Sequence, residues 1–421
     1  MSKRFISTNR TQMQLLPTSI DEWLEEDHLA RFIWDCVLEF DLSPLYRAYS
    51  KEGGLAYDPQ MLLATTLYAW CQGIRSSRKI AKACVDQVPF RWLTANEQPD
   101  HCTFSRFLKH HGPAMMHLFT EVLMLCQKVD VFNLDQLFLD GTKMKANASL
   151  AANWTRDGLS KEIEKIQKEM EATDAAEDAL YGRKNRGDEL SGTRKERLAR
   201  LKQAKAELDR QAEADRQAQA EKIARREEEE KESGKKKPGR KPKSPDKAVK
   251  EERKTNLTDP DSRIMKGRNN EFLQGYNGQA TVTDNQFIVA ADLTQDQNDV
   301  HQLESMLDVL DETLSAAHID ENPGVLAADK GYWHDGLDIS ELETEGPELM
   351  VGVPCRKGQK EPSFENVDPE QATARQKMQH KLQTESGKKT YGLRGRTVEP
   401  VFGQIKAVMG CRTFLRRGIA A

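Results

Sequence analysis

Leu137-Phe138-Leu139-Asp140-Gly141-Thr142-Lys143 is the stretch on which the fold turns. Consecutive apolar residues bounded by polar ones read as a short strand of the buried type, and this one ends on an acid. A second run of the same kind, Val325-Leu326-Ala327-Ala328-Asp329, also ends on an acid. In an open α/β sheet the ends of such strands line the functional crevice. A carboxylate placed there costs desolvation unless something pairs with it. A divalent cation would supply that pairing. Mg²⁺ takes hard oxygen ligands, few of them from protein, and completes its shell with water and substrate phosphate. Two such ions can serve the attacking and the leaving oxygen of an in-line phosphoryl displacement. Alone, each aspartate also reads as a turn residue that ends a strand. The neighbouring words give the pair its meaning.

A third acid stands in Tyr391-Gly392-Leu393-Arg394-Gly395-Arg396-Thr397-Val398-Glu399-Pro400-Val401-Phe402-Gly403-Gln404-Ile405-Lys406. Proline suits the first turn of a helix, so a helix is expected from Pro400 to about Met409, with Glu399 at its start. Lys406 falls two turns after Glu399 and shares its face. A carboxylate and an ammonium so placed can hold a metal and a DNA phosphate, or form an ordinary ion pair.

Around these acids the pattern from 272 onward is α/β. Strands are expected at 279–283 and 287–291, joined by a turn at Asp284-Asn285. A helix follows with Leu303, Met306, Leu307 and Leu310. Another is expected from Leu337 to Leu342, and a strand at 349–353. Residues 1–130 read as helical. Ser19 with Glu22 forms a capping box that opens a helix running through Ile33, Val37 and Phe40. Helices then follow Pro59 and span Ser77 to Val85. A break is expected across 88–94, then a short helix from about Asp100 to Lys109 and a longer one from Pro113 to about Gln127. The segments 76–80 and 103–109 pair as a candidate helix-turn-helix. Its second helix exposes Thr103, Arg106 and His110, carries Lys109 near its end, and turns Phe104, Phe107 and Leu108 inward. An ordinary helical bundle with solvated basic residues fits the same pattern.

Residues 155–232 are dominated by Glu, Lys, Arg, Ala and Gln. The spacing of Ile163, Ile166 and Met170, and of Leu198, Leu201 and Leu208, reads as a long helical hairpin or a short coiled coil, largely solvated. Residues 234–250 are basic and contain proline, a composition that buries no core. Within them, Pro238-Gly239-Arg240-Lys241-Pro242 resembles the core of an AT-hook, whose Arg240 and Lys241 would enter a minor groove; a flexible linker is the plainer reading. Either attracts phosphate in a salt-sensitive manner.

The bulk numbers fit this division. A length of 421 residues points to two or three domains. Net charge is only −4, so basic surfaces must be local. The seven cysteines form no CxxC pair, which argues for reduced thiols in the cytoplasm and against a disulfide framework or a zinc site. The nine histidines show no metal-binding spacing in sequence. No secretory leader is legible at the start, and no apolar run approaches the roughly 20 residues of a membrane helix.

Several words together carry a resemblance. Phe138-Leu139-Asp140-Gly141-Thr142-Lys143-Met144-Lys145-Ala146-Asn147 resembles the first catalytic block of bacterial insertion-sequence transposases of the DDE type. Asp329-Lys330-Gly331-Tyr332 resembles the second. Tyr391, Arg394, Glu399 and Lys406 are similar to the tyrosine-arginine-glutamate-lysine signature around the third acid. Thr258-Asp259-Pro260-Asp261-Ser262 and Gly275-Tyr276-Asn277-Gly278-Gln279-Ala280 fit the same group, the IS-four-related superfamily and its IS-eleven-eighty-two-like branch. The resemblance implies a ribonuclease-H-like catalytic domain at 131–154 and 255–421, an all-α DNA-binding domain at 1–130, and an inserted helical arm and basic linker at 155–254. It implies Mg²⁺, or Mn²⁺ in its place, held by Asp140, Asp329 and Glu399. It also implies cleavage at element ends, then attack of the freed 3′-hydroxyl on target DNA. Tyr391, Arg394 and Lys406 would grip end phosphates. The step from Arg394 to Glu399 is one residue longer than the usual signature, which leaves Arg396 as a second candidate for the arginine. The implied partners are terminal repeats, target DNA and a second copy of the chain, at the nucleoid. Relatives continue with further helix past the point matching Gly418, so a shortened C-terminus is expected. A DNA-binding remnant without activity and a nuclease that cleaves without joining are the competing readings.

Overall fold

The structure is a computed structural model that describes residues 19–49, 55–181, 192–233, 242, 244–245, 253–267, 271–354 and 372–419. Arg240 and Lys241 lie outside the described residues. The protein is a mixed α/β molecule in which a run of helices precedes a mixed sheet. No helix among the described residues is long and apolar enough to cross a membrane.

After a 3-10 turn at Ile20–Trp23, the first helices are α1 (Leu29–Leu38), α2 (Ser43–Arg47), α3 (Pro59–Cys71), α4 (Ser77–Asp86), α5 (Val88–Leu93), α6 (His101–His110) and α7 (Gly112–Lys128). Two expectations are corrected here. The Ser19 hydroxyl accepts from the Asp21 N–H and closes only the 3-10 turn, while α1 opens later, capped by His28. The turn is held apart as a strap because Asp21 is taken by Arg31 at 2.7 Å and by the Trp92 indole at 2.7 Å. The expected break at 88–94 is instead helical, since Pro89 falls in the first turn, where its missing N–H costs nothing. A helix, not a turn, therefore separates α4 from α6. Leu62, Leu63, Ile80, Phe90, Phe104 and Phe107 form the core of this half.

The chain then forms β1 (Gln136–Lys145), β2 (Asn153–Thr155), α8 (Arg156–Tyr181), α9 (Gly192–Ser233), β3 (Lys254–Asn256), β4 (Arg263–Lys266), β5 (Phe272–Thr283) and β6 (Ile288–Thr294). It continues through α10 (Gln302–Ala316), β7 (Val325–Ala328), α11 (Ile339–Glu345), β8 (Glu348–Val351), α12 (Ala374–Gln383) and α13 (Glu385–Gly403), which runs on into a π-helical turn at Gln404–Val408. β2 and β3 pair at the foot of α8 and α9. These two helices pack Leu159, Ile163 and Ile166 against Leu201, Ala204 and Leu208. The ion pairs Arg156–Asp209 and Glu162–Arg197 run in opposite sequence order, so α8 and α9 are antiparallel.

The main sheet has six strands in the order β4-β5-β1-β7-β8, with β6 also on the outer side of β5. β5 is antiparallel to β1, β4 and β6, whereas β7 is parallel to β1 and to β8. β1 does not stop at Asp140. Its pairing with β5 continues from Leu137↔Thr283 to Lys145↔Gly275, and this long partner holds the polar half of β1 in the sheet. The pairing with β7, by contrast, ends at Leu139↔Ala328. Asp140 and Asp329 are therefore the next residues on two neighbouring parallel strands.

Side chains alternate across a strand, and the two faces of this sheet are built that way. Leu137, Leu139, Leu326, Ala328, Leu349 and Val351 pack toward α10 and its neighbours. Phe138, Ala327 and Met350 pack on the opposite face with Val398 and Val401 of α13. Asp140 has the parity of Phe138, so it opens onto the face that α13 covers.

α13 is the largest departure from expectation. Pro400 was expected to open a helix, but it lies inside one that begins at Glu385. Docking of Thr397, Val398 and Val401 onto the sheet holds the helix through the proline. The carbonyl that Pro400 cannot bond belongs to Arg396, an exposed residue where water can serve it. The chain beyond α13 ties the two halves together. Arg75 donates to the Gly410 and Thr413 carbonyls at 2.9 and 3.0 Å, Arg416 donates to the Leu108 carbonyl at 2.7 Å, and Thr413 bridges to Lys145 of β1.

Candidate active site

Asp140 and Asp329 share one cation. Arg394, from α13, places one guanidinium nitrogen 3.3 Å from Asp140 Oδ2 and another 3.5 Å from Asp329 Oδ1. Val398, one helical turn beyond Arg394, is fully buried against the sheet, and this fixes which side of α13 meets the acids. The Tyr391 ring lies beneath the same guanidinium, 5.9 Å from ring centre to carbon. Burial, reinforced by the nearby Asp329 carboxylate, pushes the Tyr391 phenol up.

Burial also pushes the Asp140 carboxyl above the usual aspartate range. The Gly141 N–H, 2.8 Å away, and the Arg394 charge oppose that shift; the carboxylates of Asp329 and Asp299 add to it. The site thus crowds carboxylates, which repel one another and attract a cation.

Asp299 was not singled out in the sequence. It lies just before α10, on the other side of β1, and accepts hydrogen bonds from Asn277 (2.8 Å) and Gln279 (2.9 Å) of β5. Lys143 stands 3.9 Å from it. Burial lowers the Lys143 ammonium, and the Asp299 and Asp140 charges partly restore it. The buried Tyr332 hydroxyl donates to Gln279 and completes the cluster. A signal for this was present: Asn277 and Gln279 put polar side chains at alternate positions of a buried strand, and buried polar groups need partners.

Gly141 makes room for that cluster. A Cβ at this position would lie 2.5 Å from Asp299 Oδ1 and 2.6 Å from Gln279 Nε2. Gly141→Ala is expected to displace Asp299 and the adjoining Asp140 peptide, lowering turnover at this site by about 10²-fold, the scale of a 1 Å misplacement. Single-turnover kinetics beside a substrate-binding titration would check this; unchanged turnover would show that the cluster does not position the acids.

The other residues singled out fall as follows. Lys406 lies in the π-helical turn and reaches back to β1, where its ammonium donates to the Thr142 hydroxyl and, at 2.9 Å, to the Lys143 carbonyl. Burial lowers its ammonium. Glu399 is on α13 between Arg394 and Lys406, but its side chain is exposed and is not brought onto the two aspartates. Arg394, rather than Arg396, faces the acids; Arg396 is exposed. Arg106 and Lys109 are exposed on α6, where Arg106 lines an open cavity with Tyr49, Tyr57, Thr103 and His110.

Residues 18–110 match a family described as Transposase domain (DUF772), which spans the strap and α1 through α6. Residues 354–421 match a family described as Transposase DDE domain, which holds Tyr391, Arg394, Glu399 and Lys406. No curated protein and no solved structure matches the chain. Neither family separates one insertion-sequence group from another. Two matches to transposase domains, one toward each end of the chain, support a DDE-type transposase.

Proposed function

We propose that the chain cuts DNA at the ends of its own mobile element and joins the freed 3′-hydroxyl to target DNA, using divalent metal ions held by Asp140, Asp329 and Glu399. The observation that carries this reading is the pairing of Asp140 and Asp329 on adjacent parallel strands around one guanidinium. The residues fit Mg²⁺ or Mn²⁺. Every candidate donor is a carboxylate oxygen, the choice of hard cations. The Arg394 contacts, at 3.3 and 3.5 Å, are longer than the roughly 2.7–2.9 Å of tight charge-assisted bonds, so the acids are not committed to it. When bound, the ions would activate the attacking oxygen and stabilise the leaving one.

The protein's own groups do the rest. Arg394 balances the two aspartates and, with Tyr391 and Lys406, forms a cationic and hydrogen-bonding rim against which a DNA phosphate would lie. Glu399, exposed on α13 between Arg394 and Lys406, would join the aspartates only by turning toward them when a metal binds. The mixed sheet with helices on both faces supports a ribonuclease-H-like catalytic domain at 131–154 and 255–421. The helical segment 1–130 would bind element ends through Arg106 and Lys109. The arm and basic linker at 155–254 would add phosphate contacts through Arg240 and Lys241. A dimer would hold both ends at once.

The test supplies a pre-cut element end and a target plasmid with Mg²⁺. Joined products are expected. Cleavage of intact ends without any joining would instead establish a nuclease.

A further inference from the structure

Among the described residues, the one trio of metal-ligating side chains whose donor atoms all lie within 4.8 Å of one another is His301, Glu304 and His334, not the acids. We propose that this trio is a second metal site, selective for a borderline transition ion such as Zn²⁺. It is separate from the carboxylate site and does not rest on the transposase reading.

His301 is the cap residue of α10 and holds a left-handed backbone, φ 70°, that few non-glycine residues adopt. Glu304 is in the first turn of the same helix. His334 arrives from the loop that follows Asp329. The two imidazole rings lie 4.3 Å apart, and His334 Nε2 is 3.6 Å from Glu304 Oε1. That Nε2 atom is buried and has no hydrogen-bond partner. A buried ring nitrogen facing a carboxylate and a second imidazole is a polar atom still waiting for its partner.

The distances and the chemistry agree on that partner. Ligands on one tetrahedral Zn²⁺, each at about 2.0–2.1 Å, lie roughly 3.4 Å from each other. The His334–Glu304 pair is already close to this, and side-chain rotation of the exposed His301 brings in the third donor. Two imidazoles and one carboxylate form a recurring zinc set that leaves a fourth position for water. Imidazole suits Zn²⁺, Co²⁺ and Ni²⁺, whereas Mg²⁺ prefers oxygen alone. The sequence hid this site because His301 and Glu304 belong to one helix and His334 to a distant loop.

The site has a structural consequence. His301 lies two residues beyond Asp299, and His334 closes the segment that begins at Asp329. An ion here would clamp these two segments to each other.

The experiment titrates metal-free full-length protein with Co²⁺ in excess Mg²⁺ and records visible absorption. The wild type is expected to bind about one Co²⁺ per chain with the strong absorption of a tetrahedral centre, and Zn²⁺ should displace it. His334→Ala and Glu304→Gln should weaken binding at least about tenfold, by loss of one ligand of three. Asp140→Asn should bind as the wild type does. Should His334→Ala unfold, Glu304→Gln carries the test, because Glu304 is 42% exposed and Gln keeps its shape. No Co²⁺ absorption in the wild type would overturn the proposal. So would unchanged binding in Glu304→Gln, or a signal that disappears with Asp140→Asn.

Discussion

Asp140→Asn is expected to lower metal-dependent DNA cleavage by on the order of 10³-fold or more, several kcal/mol of lost transition-state stabilisation, while the protein stays folded and binds DNA. Asn has the shape of Asp and lacks only the charge. Arg394 keeps its contact with Asp329, so α13 stays docked. The same substitution is expected to stabilise the metal-free protein. Burial raises the folded pKa of Asp140 above the ordinary aspartate value of 3.8, so the folded state holds that proton more tightly than the unfolded chain does. Ionised Asp140 is therefore a cost to folding. The cost is complete above the folded pKa, shrinks as pH falls through it, and is gone below 3.8. Denaturant melts of both proteins should show the variant more stable near neutrality and the difference vanishing in acid. A variant that is less stable at neutral pH would mean that the Arg394 pairing outweighs desolvation.

Phe138→Ala is expected to destabilise the protein by about 3–5 kcal/mol, the range for truncating a buried phenylalanine. Phe138 is fully buried, and it fills the face of the sheet on which Val398 and Val401 dock. A typical domain has only about 5–15 kcal/mol to lose. The damage should also be local. Arg394, Glu399 and Lys406 all ride on α13 and the turn that follows it, so loosening this contact should remove activity under conditions where the sheet persists. Leu137→Ala, one residue earlier on the opposite face, is the control: it opens a cavity toward the α10 side and leaves the α13 contact in place. Urea midpoints should fall for both variants, with the larger loss of DNA cleavage per kcal/mol in Phe138→Ala. Equal losses would show that α13 is held by something other than Phe138.

The parts of this architecture that were legible in the sequence are those buried on both faces. Leu137 to Leu139 and Val325 to Ala328 are continuously apolar because helices cover the sheet above and below, and that pattern marked the strands and the acids after them. The arm helices were legible too, since Ile163, Ile166, Leu201 and Leu208 meet at helical spacing. α13 was not. Gly387, Gly392, Gly395 and Pro400 make it a poor helix by propensity, and only docking on the sheet holds it. Reading Pro400 as a start was sound local chemistry overridden by tertiary contacts. β4, Arg263-Ile264-Met265-Lys266, is too short and polar to announce itself, and it forms only because β5 extends past β6 to pair with it. Asp299 could not be named for a different reason, although the buried polar pair Asn277 and Gln279 signalled that some partner was needed. Its partners Asn277, Gln279 and Lys143 come from two other strands, and local sequence does not encode that meeting.

The central claim is that Asp140, Asp329 and Glu399 act together on a metal, although Glu399 stands exposed on its helix and apart from the other two. The most direct measurement is Mg²⁺- or Mn²⁺-dependent cleavage of DNA carrying the element's ends by the full chain and by Asp140→Asn, Asp329→Asn and Glu399→Gln, with DNA binding recorded for each. The account predicts cleavage by the parent chain that stops on chelation, loss of cleavage in every variant, and retained binding. Cleavage that persists in Glu399→Gln, or that proceeds without divalent metal, would contradict it.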